Sequence, residues 1–424
     1  MADSPESAKR PAAQSFVALR HPGSRNYLIG AALAMMADSI EHVISYWMIF
    51  EKFQSPALGG FAVISHWAPF LLFSFHAGAL ADRHDPRRII QLGMAMFMAV
   101  SAGWGYLFWT DTLEVWHAVV LLVIHGLAGV LWAPAAQLLI HDIVGQRQLQ
   151  SAIRTMATSR TLGLLMGPAI GGAIMLTVGA TAGILINVAI YLPLTLWLWK
   201  APYGPAFGAR REAKPAAMRG FGDLAAAIRA ITSIPMITTM TLLAGAAALI
   251  VGNAHQAQMP EFATDLGQGD AGLYYSILLS ANAAGALIAG IVLESRNLLP
   301  AKPKTAFILA LLWCAAIGGF AVSSIYPLAL GFLFMAGFLD LSFNSMARTL
   351  AQLHAPAVLR GRAIGVYNMA SLGLRAFSGV TVGLGGSLIG IHWSLAISAA
   401  VLMVVIATLF ARSPRAMPRD ADTS

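Results

Sequence analysis

Twelve long apolar runs divide this chain and constrain its fold more than any other feature. Each run is about 20 residues long, the length that an α-helix needs to cross the hydrocarbon core of a bilayer. Only 11% of the 424 residues are charged, whereas soluble domains carry about 25%. A membrane β-barrel would instead show short segments of alternating polarity. We therefore predict an all-α membrane protein with twelve transmembrane helices, at 27–50, 57–81, 89–109, 115–141, 153–176, 180–199, 233–256, 270–293, 305–323, 326–350, 362–388 and 391–411.

The placement of the basic residues predicts how the helices are oriented. Lysine and arginine are concentrated in the N-terminus and in every second connection, which places both termini in the cytoplasm. The predicted parts are a cytoplasmic tail (1–26), an N-terminal six-helix bundle (27–199), a cytoplasmic linker (200–232), a C-terminal six-helix bundle (233–411) and a second cytoplasmic tail (412–424). The net charge of +8 is thus an orientation signal, and we expect no nucleic-acid partner.

Similar residues recur in the two halves at one spacing. The offsets are 213 to 215 residues, about half the chain length, for the pairs His141 and His354, Arg160 and Arg375, and Gly171 and Gly385. A duplicated six-helix unit explains this regularity. Secondary transporters are often built from such repeats, with the cargo site near the membrane midplane between them.

The connection after the second run resembles the loop 2–3 signature of the major facilitator superfamily. The residues that carry this resemblance are Gly78, Asp82, Arg83, Arg87 and Arg88. The resemblance covers essentially the whole chain and implies two pseudo-symmetric six-helix bundles, the major facilitator fold.

The same resemblance implies a gate. Asp82 would hold the inner ends of the two halves together in the outward-open state by facing the start of the eleventh helix, near Arg360 and Arg362. The chain departs from the family pattern at Asp85, where glycine is typical, and at Pro86, where a basic residue is typical. The alternative is a charged segment that only sets the topology.

The fifth run resembles the antiporter signature of the same superfamily. Its motif residues are Gly163, Gly167, Pro168, Gly171 and Gly172. Glycines at four-residue spacing let helices pack closely in lipid, and the proline bends the helix. The resemblance implies an exporter of the enterobactin-type siderophore or multidrug branch, whereas ordinary close packing is the alternative.

Ionisable residues inside the apolar runs are functional candidates because each costs about 2.5–3.5 kcal/mol at mid-helix. They are Asp38, Glu41, Arg160, Asp340 and Arg375. Asp38 and Arg160 lie at similar predicted depths, so they can pair, and Asp340 can pair with Arg375 in the second half. Such groups either exchange a proton during transport or form permanent ion pairs that fix the helix register.

Polar residues on the first helix form the leading candidate site. Asp38, Glu41 and His42 share one helical face. Asp38 is the leading candidate for the residue that carries the proton, and the proton-coupled flux of the Asp38→Asn variant tests this role. Exporters of the branch that the chain resembles often have an arginine near the position of His125, so the resemblance implies that this histidine is a titratable substitute. The histidines at 66, 76, 125 and 255 lie on different helices without the spacing of a metal motif, so we predict no metal site.

The motifs that the chain lacks narrow its function further. It contains neither a nucleotide-binding loop nor a hydrolase signature, so we predict no enzyme and no cofactor, with a proton gradient as the energy source. The sequence favours a proton-coupled antiporter that exports a small amphipathic molecule, such as a drug or siderophore. The alternatives are a symporter that imports a metabolite and a non-transporting receptor or assembly factor. We expect a monomer in the cell inner membrane, with a small-molecule substrate, protons and lipid as its partners.

Overall fold

The computed structural model of the protein describes residues 17–204, 207, 222, 228–229, 232–267, 270–296, 302–356 and 360–413. Most of the predicted linker (200–232) and most residues of the two predicted tails lie outside these ranges. Within them the chain folds into helices joined by short connections, and no strand occurs among the described residues.

Twelve helices are long and apolar enough to span a membrane, which confirms the predicted all-α membrane fold. They are α1 Pro22–Phe53, α2 Pro56–Arg83, α3 Pro86–Trp109, α4 Val115–Gly145, α5 Thr155–Val178, α6 Ala180–Lys200, α7 Pro235–Ile250, α8 Ala271–Arg296, α9 Pro303–Val322, α10 Tyr326–Leu353, α11 Ala363–Ile389 and α12 Ile391–Arg412. A short helix, Met259–Leu266, follows α7.

Local chemistry sets where several helices begin. Proline occupies the first turn of α1, α2 and α3, where its missing N–H costs nothing because that donor has no helical acceptor. The Ser55 side chain accepts a hydrogen bond from the Leu58 amide at the start of α2, and Asp85 accepts one from the Arg87 amide at the start of α3. Gly145 has a φ of 65°, which bends the continuous helical segment that contains α4 and α5.

The eleventh span departs from regular α-helix at two places. Met369–Gly373 and Gly379–Leu384 form π-helical turns. Such turns widen the backbone locally and are common at functional sites. Here they flank the short α-helical segment Arg375–Ser378, which places the Arg375 side chain between two irregular turns near the middle of the molecule.

The helices form two bundles that meet along two helix pairs, α2 with α11 and α5 with α8. We call the end at which α1 begins the inner end, since the charge pattern predicts that it faces the cytoplasm. One apolar core runs through the outer part of the first bundle and the length of the second bundle, and it includes Val43 from α1 and Tyr275 from α8. At the inner end the first bundle has a separate core that includes Tyr27 and Ile89.

Hydrogen bonds join the two bundles in the outer part of the molecule. The Tyr275 hydroxyl donates to the Val43 carbonyl at 2.9 Å, and Gln258 Nε2 donates to the Pro56 carbonyl at 2.8 Å. Deeper in the molecule, Trp67 Nε1 donates to Asn253 Oδ1 at 3.1 Å. These contacts close the outer end of the interface.

The inner end of the same interface is more open. A methyl group built on Gly78 of α2 or on Gly365 of α11 would meet no described atom within 4 Å. At the outer end, in contrast, a methyl group on Gly60 of α2 would collide with the backbone of α11 at Gly379 and Gly383. The interface between the bundles, which we call the cleft, is therefore closely packed at its outer end, whereas no described atom lies near these two positions of its inner end.

Candidate functional site

Three helices of the first bundle direct polar side chains to one point at mid-membrane depth. Asp38, Glu41 and His42 come from α1, His66 comes from α2 and His125 comes from α4. The structure thus brings together four residues that the sequence singles out and adds His66, which sequence reasoning does not group with them. We call these five residues the imidazole–carboxylate cluster.

His125 links the two carboxylates of the cluster. Its Nε2 lies 2.9 Å from Asp38 Oδ1, and its Nδ1 lies 2.6 Å from Glu41 Oε1. The three residues, His125, Asp38 and Glu41, are 3%, 7% and 2% exposed, respectively. Because buried charges are retained only when they are paired and hydrogen-bonded, this bridge accounts for two acids at the centre of a membrane bundle.

A second layer of polar groups holds Glu41 in place. The Ser101 hydroxyl of α3 donates to Glu41 Oε2. Asn187 of α6 in turn donates from Nδ2 to Ser101 Oγ at 3.3 Å and to the Ala37 carbonyl at 3.0 Å. The Phe97 ring packs edge-on against the His125 ring, with centroids 4.8 Å apart. Hydrogen bonds and ring packing therefore fix the orientation of His125.

His42 and His66 form the less buried side of the cluster. His42 Nδ1 lies 2.7 Å from the Asp38 carbonyl, and its Nε2 lies 3.2 Å from His66 Nδ1. The His42 side chain is 20% exposed, and its ring centroid lies 4.7 Å from that of His125. One ligand atom each from Asp38, His42, His66 and His125 lies within 4.8 Å of the other three.

This convergence differs from the expectation that the histidines are scattered without metal-ligand spacing. The expectation rests on separation along the chain, and it fails because α1, α2 and α4 pack with these side chains facing one another. The sequence does place all three histidines near the middle of their helices and therefore at similar depth. Depth alone does not reveal which helix faces are turned toward one another.

The suggested pair between Asp38 and Arg160 is not formed. Asp38 Oδ1 is bonded to His125 instead, and the Arg160 guanidinium lies over the Trp132 ring at 5.5 Å from its centroid. Equal depth allows the pair, but α4 supplies His125 as the partner of the acid. Arg160 therefore makes a cation–π contact inside the first bundle.

The second bundle contributes Asp340 from α10 and Arg375 from α11. Both line one cavity together with Trp313, Asn344 and Ser371. Asn344 Nδ2 donates to Asp340 Oδ1 at 2.9 Å, and Arg375 Nε donates to the Ser371 carbonyl at 3.1 Å. The two charged groups face the same cavity but do not form an ion pair within 4.0 Å, unlike the suggested pairing.

Arg375 also connects the two bundles. Its guanidinium lies over the ring of Trp67, with the Cζ atom 5.2 Å from the ring centroid. Trp67 directly follows His66 of the cluster in α2. The charged groups of the second bundle therefore approach the imidazole–carboxylate cluster across the cleft, as a shared central site requires.

Two residues of the loop between α2 and α3 pair with each other and with the segment after α6. Arg87 is buried, with Nη2 2.5 Å from Asp85 Oδ2 and Nη1 2.6 Å from the Ala201 carbonyl. Arg88 donates to Gln91 at 2.9 Å, and Arg83 is exposed. Asp85 and Arg87 thus fasten the start of α3 to the segment after α6.

Three other residues of the gating motif would form the predicted gate between the bundles. The side chains of Asp82, Arg360 and Arg362 lie outside the described part of the structure, so the predicted contact between Asp82 and the start of α11 stays a prediction. For Asp85, partial burial alone would raise the pKa, but the hydrogen bonds and charge of Arg87 outweigh it and hold the pKa below its usual value.

The glycines of the antiporter motif line two helix contacts. A methyl group on Gly163 or Gly167 would collide with α1, at the Ala32 carbonyl and at Ser39 respectively. One on Gly171 would lie 3.2 Å from Ile40 Cα of α1, and one on Gly172 would lie 2.7 Å from Ser276 Cβ of α8. The motif therefore brings α5 close both to α1 and, across the interface, to the second bundle.

Comparisons with known proteins agree with this architecture. Residues 13–424 match the model of a family described as transmembrane secretion effectors, and the chain belongs to that family. It is a major facilitator superfamily transporter. Such transporters are not enzymes, and their cargo is a small molecule. Among curated proteins, none matches this chain significantly.

Solved structures of other transporters of this superfamily share the fold. A bacterial homologue of the human lysosomal transporter Spinster, in an inward-facing and unoccupied conformation, is 15% identical with a TM-score of 0.71, covering 95% of this chain and 98% of its own. The nucleoside transporter NupG (14%, 0.68, 92% and 99%) and a D-xylose–proton symporter (16%, 0.61, 91% and 95%) are also similar. At these identities the likeness establishes the fold of this transporter alone.

Proposed function

We propose that this transporter is a proton-coupled antiporter that exports a small amphipathic molecule by alternating access. The observation that carries the proposal is the cleft between the bundles, which is closed by hydrogen bonds at its outer end, lacks close contacts at Gly78 and Gly365 of its inner end and has ionisable groups of both halves near its centre. Such a cleft can accept cargo from the inner side and release it outside once the bundles rock.

Export is favoured over import by two observations. The family is described as secretion effectors, and α5 carries the glycine motif that resembles the antiporter signature. The glycines bring α5 against α1 and α8, and such a seal would keep protons from leaking through the interface while the bundles move.

We assign the coupling proton to Asp340. Asp38 is the leading candidate from the sequence, but it shares His125 with Glu41 and so has fixed partners. Asp340 has the neutral amide of Asn344 as its hydrogen-bond partner and faces a cavity with Arg375. A carboxylate at mid-membrane depth is costly when charged, so Asp340 can take up a proton on one side of the membrane and release it on the other as the bundles rock.

One proton is sufficient for useful export. A charge that crosses 100 mV provides about 2.3 kcal/mol, and a tenfold concentration ratio corresponds to about 1.4 kcal/mol. A single proton exchanged for a neutral molecule therefore supports a gradient of about fifty-fold. The absence of a nucleotide-binding loop is compatible with this energy source.

Transport in proteoliposomes tests the proposal. With the inner end of the protein facing the lumen and the outside acidified, a panel of fluorescent amphipathic molecules should be expelled against their gradient. Asp340→Asn should retain exchange of cargo between the two sides but lose the proton-driven expulsion, and Asp111→Asn, in an exposed outer loop, should behave as wild type. Uphill expulsion by Asp340→Asn at the wild-type level would refute the assignment.

The second candidate is a proton-coupled importer. The similarity to a D-xylose–proton symporter favours it, because a symporter moves its cargo and its proton in the same direction on this fold. Under import, the same acid-outside gradient would drive cargo inward. We further propose that the protein works as a monomer in the cell inner membrane, with both termini in the cytoplasm.

A further inference from the structure

We infer that Asp38, His42, His66 and His125 form a binding site for a divalent transition-metal ion. The ion would be the cargo, either free or held in a chelate that leaves coordination positions open. This inference rests on the proposed transport function and goes beyond it, because a metal ion or its chelate would be a cargo besides the amphipathic molecule. It is supported by the donor atoms, by the groups behind them and by their access to the cleft.

The donor set suits a metal of intermediate softness. Three imidazole nitrogens and one carboxylate oxygen converge, and imidazole is a preferred ligand of zinc, copper, iron and nickel. Zinc lies about 2.0–2.1 Å from such ligands, so neighbouring ligands of a tetrahedral ion are about 3.3 Å apart. Asp38 Oδ1 is 2.9 Å from His125 Nε2, and His42 Nε2 is 3.2 Å from His66 Nδ1.

The remaining separations require only a small adjustment. The ligand atoms of the four residues lie within 4.8 Å of one another, so the longest separation would shorten by about 1.5 Å around a tetrahedral ion. Rotation of the His42 or His66 side chain can supply this change, since both are only partly buried. The deep ligands, Asp38 and His125, need little movement.

The groups behind the ligands are those that metal sites use. A histidine ligand usually donates its other ring N–H to a carboxylate or a backbone carbonyl, which fixes the ring orientation. His125 places Nδ1 2.6 Å from Glu41, and His42 places Nδ1 2.7 Å from the Asp38 carbonyl. Both rings therefore direct Nε2 toward the common point.

Charge and access are consistent with a divalent cargo. Asp38 and Glu41 together can balance two positive charges, which an ion at mid-membrane depth requires. The site is also reachable, because the His42 side chain is 20% exposed. Trp67, next to His66, contacts Arg375 of the opposite bundle, which places the cluster at the interface between the bundles. The cluster thus lies at the wall of the cleft.

Cobalt binding tests the site without any transport. The purified full-length protein in detergent is titrated with Co²⁺, whose visible absorption reports its nitrogen and oxygen ligands, and Zn²⁺ is then added as competitor. We expect stoichiometric binding that zinc reverses. His66→Gln should weaken binding by more than about 100-fold, since loss of a supporting group alone costs 10- to 100-fold. His76→Gln, an exposed histidine on the same helix, should leave binding unchanged.

Equal cobalt affinity in wild type and His66→Gln would overturn the site, and so would an absorption spectrum without imidazole ligands. A thermal unfolding curve for each variant shows whether it folds. Should His66→Gln fail to fold, the milder substitution His42→Gln takes its place with the same expected loss. Neither measurement depends on the direction of transport or on proton coupling.

Zinc flux tests whether the ion is cargo. Proteoliposomes report Zn²⁺ movement through a trapped zinc-sensitive dye, with free Zn²⁺ in one arm and Zn²⁺ bound by a bidentate hydroxamate in the other. Flux in either arm that His66→Gln abolishes supports the inference and identifies the transported form. If the protein binds cobalt but neither arm shows zinc flux, the assignment of the ion as cargo is overturned. Expulsion of the fluorescent panel would still support the proposed function in that case.

Discussion

A single added methyl group at the outer closure should shift the balance between the two faces of the transporter. Gly60 of α2 packs against the backbone of α11, and a Cβ atom there would lie 2.5 Å from the Gly379 carbonyl oxygen and 2.8 Å from Gly383 Cα. Ordinary contacts are about 3.5–4.0 Å, so Gly60→Ala forces the two helices apart by about 1 Å. Overpacking of this kind costs about 1–3 kcal/mol.

The cost falls only on the conformation that closes the outer end. An equilibrium constant changes tenfold for every change of about 1.4 kcal/mol. The outward-open population should therefore rise about 5- to 150-fold relative to the inward-open one. Spin labels at Thr112 and Ser324, both exposed in outer loops of different bundles, report this opening after Cys314, the only cysteine of the sequence, is replaced by serine. The distance distribution should move to longer values in Gly60→Ala.

Gly331→Ala is the matched control, because a methyl group at that helical glycine meets no described atom within 4 Å. Its distance distribution should superimpose on that of the parent protein. If Gly60→Ala also superimposes, the contact between α2 and α11 does not limit outer opening, and the argument from packing is refuted.

Three further predictions concern stability, each measured by thermal unfolding in detergent. Gly163→Ala should lower the free energy of unfolding by about 1–3 kcal/mol because its methyl group meets the α1 backbone. Gly78→Ala, whose methyl group meets no described atom, should raise it by about 0.5–1 kcal/mol because alanine favours the helix, and equal losses in the two variants would contradict this. Burial, and then Asp265, raise the pKa of Glu261 to about 7 from 4.5, so wild-type stability should fall as pH rises between these values. Glu261→Gln should therefore match wild type near pH 4.5 and exceed it at about pH 8, and a constant difference would count against this. Asp85→Ala should cost more than about 1 kcal/mol at neutral pH, because it removes both the helix cap and the ion pair with buried Arg87, and an unchanged midpoint would contradict this.

The architecture is predictable from the sequence because it depends on one-dimensional properties. Span length and the scarcity of charges require twelve membrane helices, and the recurrence of residues at half the chain length indicates two bundles. The glycines of α5 likewise mark close helix contacts, although the sequence does not say that Gly172 contacts α8 while Gly167 contacts α1.

The arrangement of the site depends on helix rotation, which the sequence encodes weakly. Asp38 and Arg160 lie at similar predicted depths in the membrane, yet Asp38 contacts His125 of α4. Nothing in the second apolar run marks His66 as facing α1. Predicting this cluster requires the relative rotation of three helices, and an error of about 100° moves a side chain to another face.

Local irregularities of the backbone also cannot be predicted from this sequence. The π-helical turns of α11, Met369–Gly373 and Gly379–Leu384, leave no mark in its glycine-rich composition and depend on packing against α2 and α7. They flank the segment Arg375–Ser378, from which Arg375 lies over Trp67 and does not pair with Asp340. Depth places the two charges in one cavity, but the backbone decides their contacts.

Simultaneous recording of proton and cargo movement tests the central claim most directly. Reconstituted vesicles carry a trapped pH dye, and expelled cargo is followed by fluorescence in the same sample. Our account predicts that protons move opposite to cargo in wild type and that this proton movement vanishes in Asp340→Asn while cargo exchange persists. Proton movement in the same direction as cargo, or undiminished proton movement in Asp340→Asn, would contradict it.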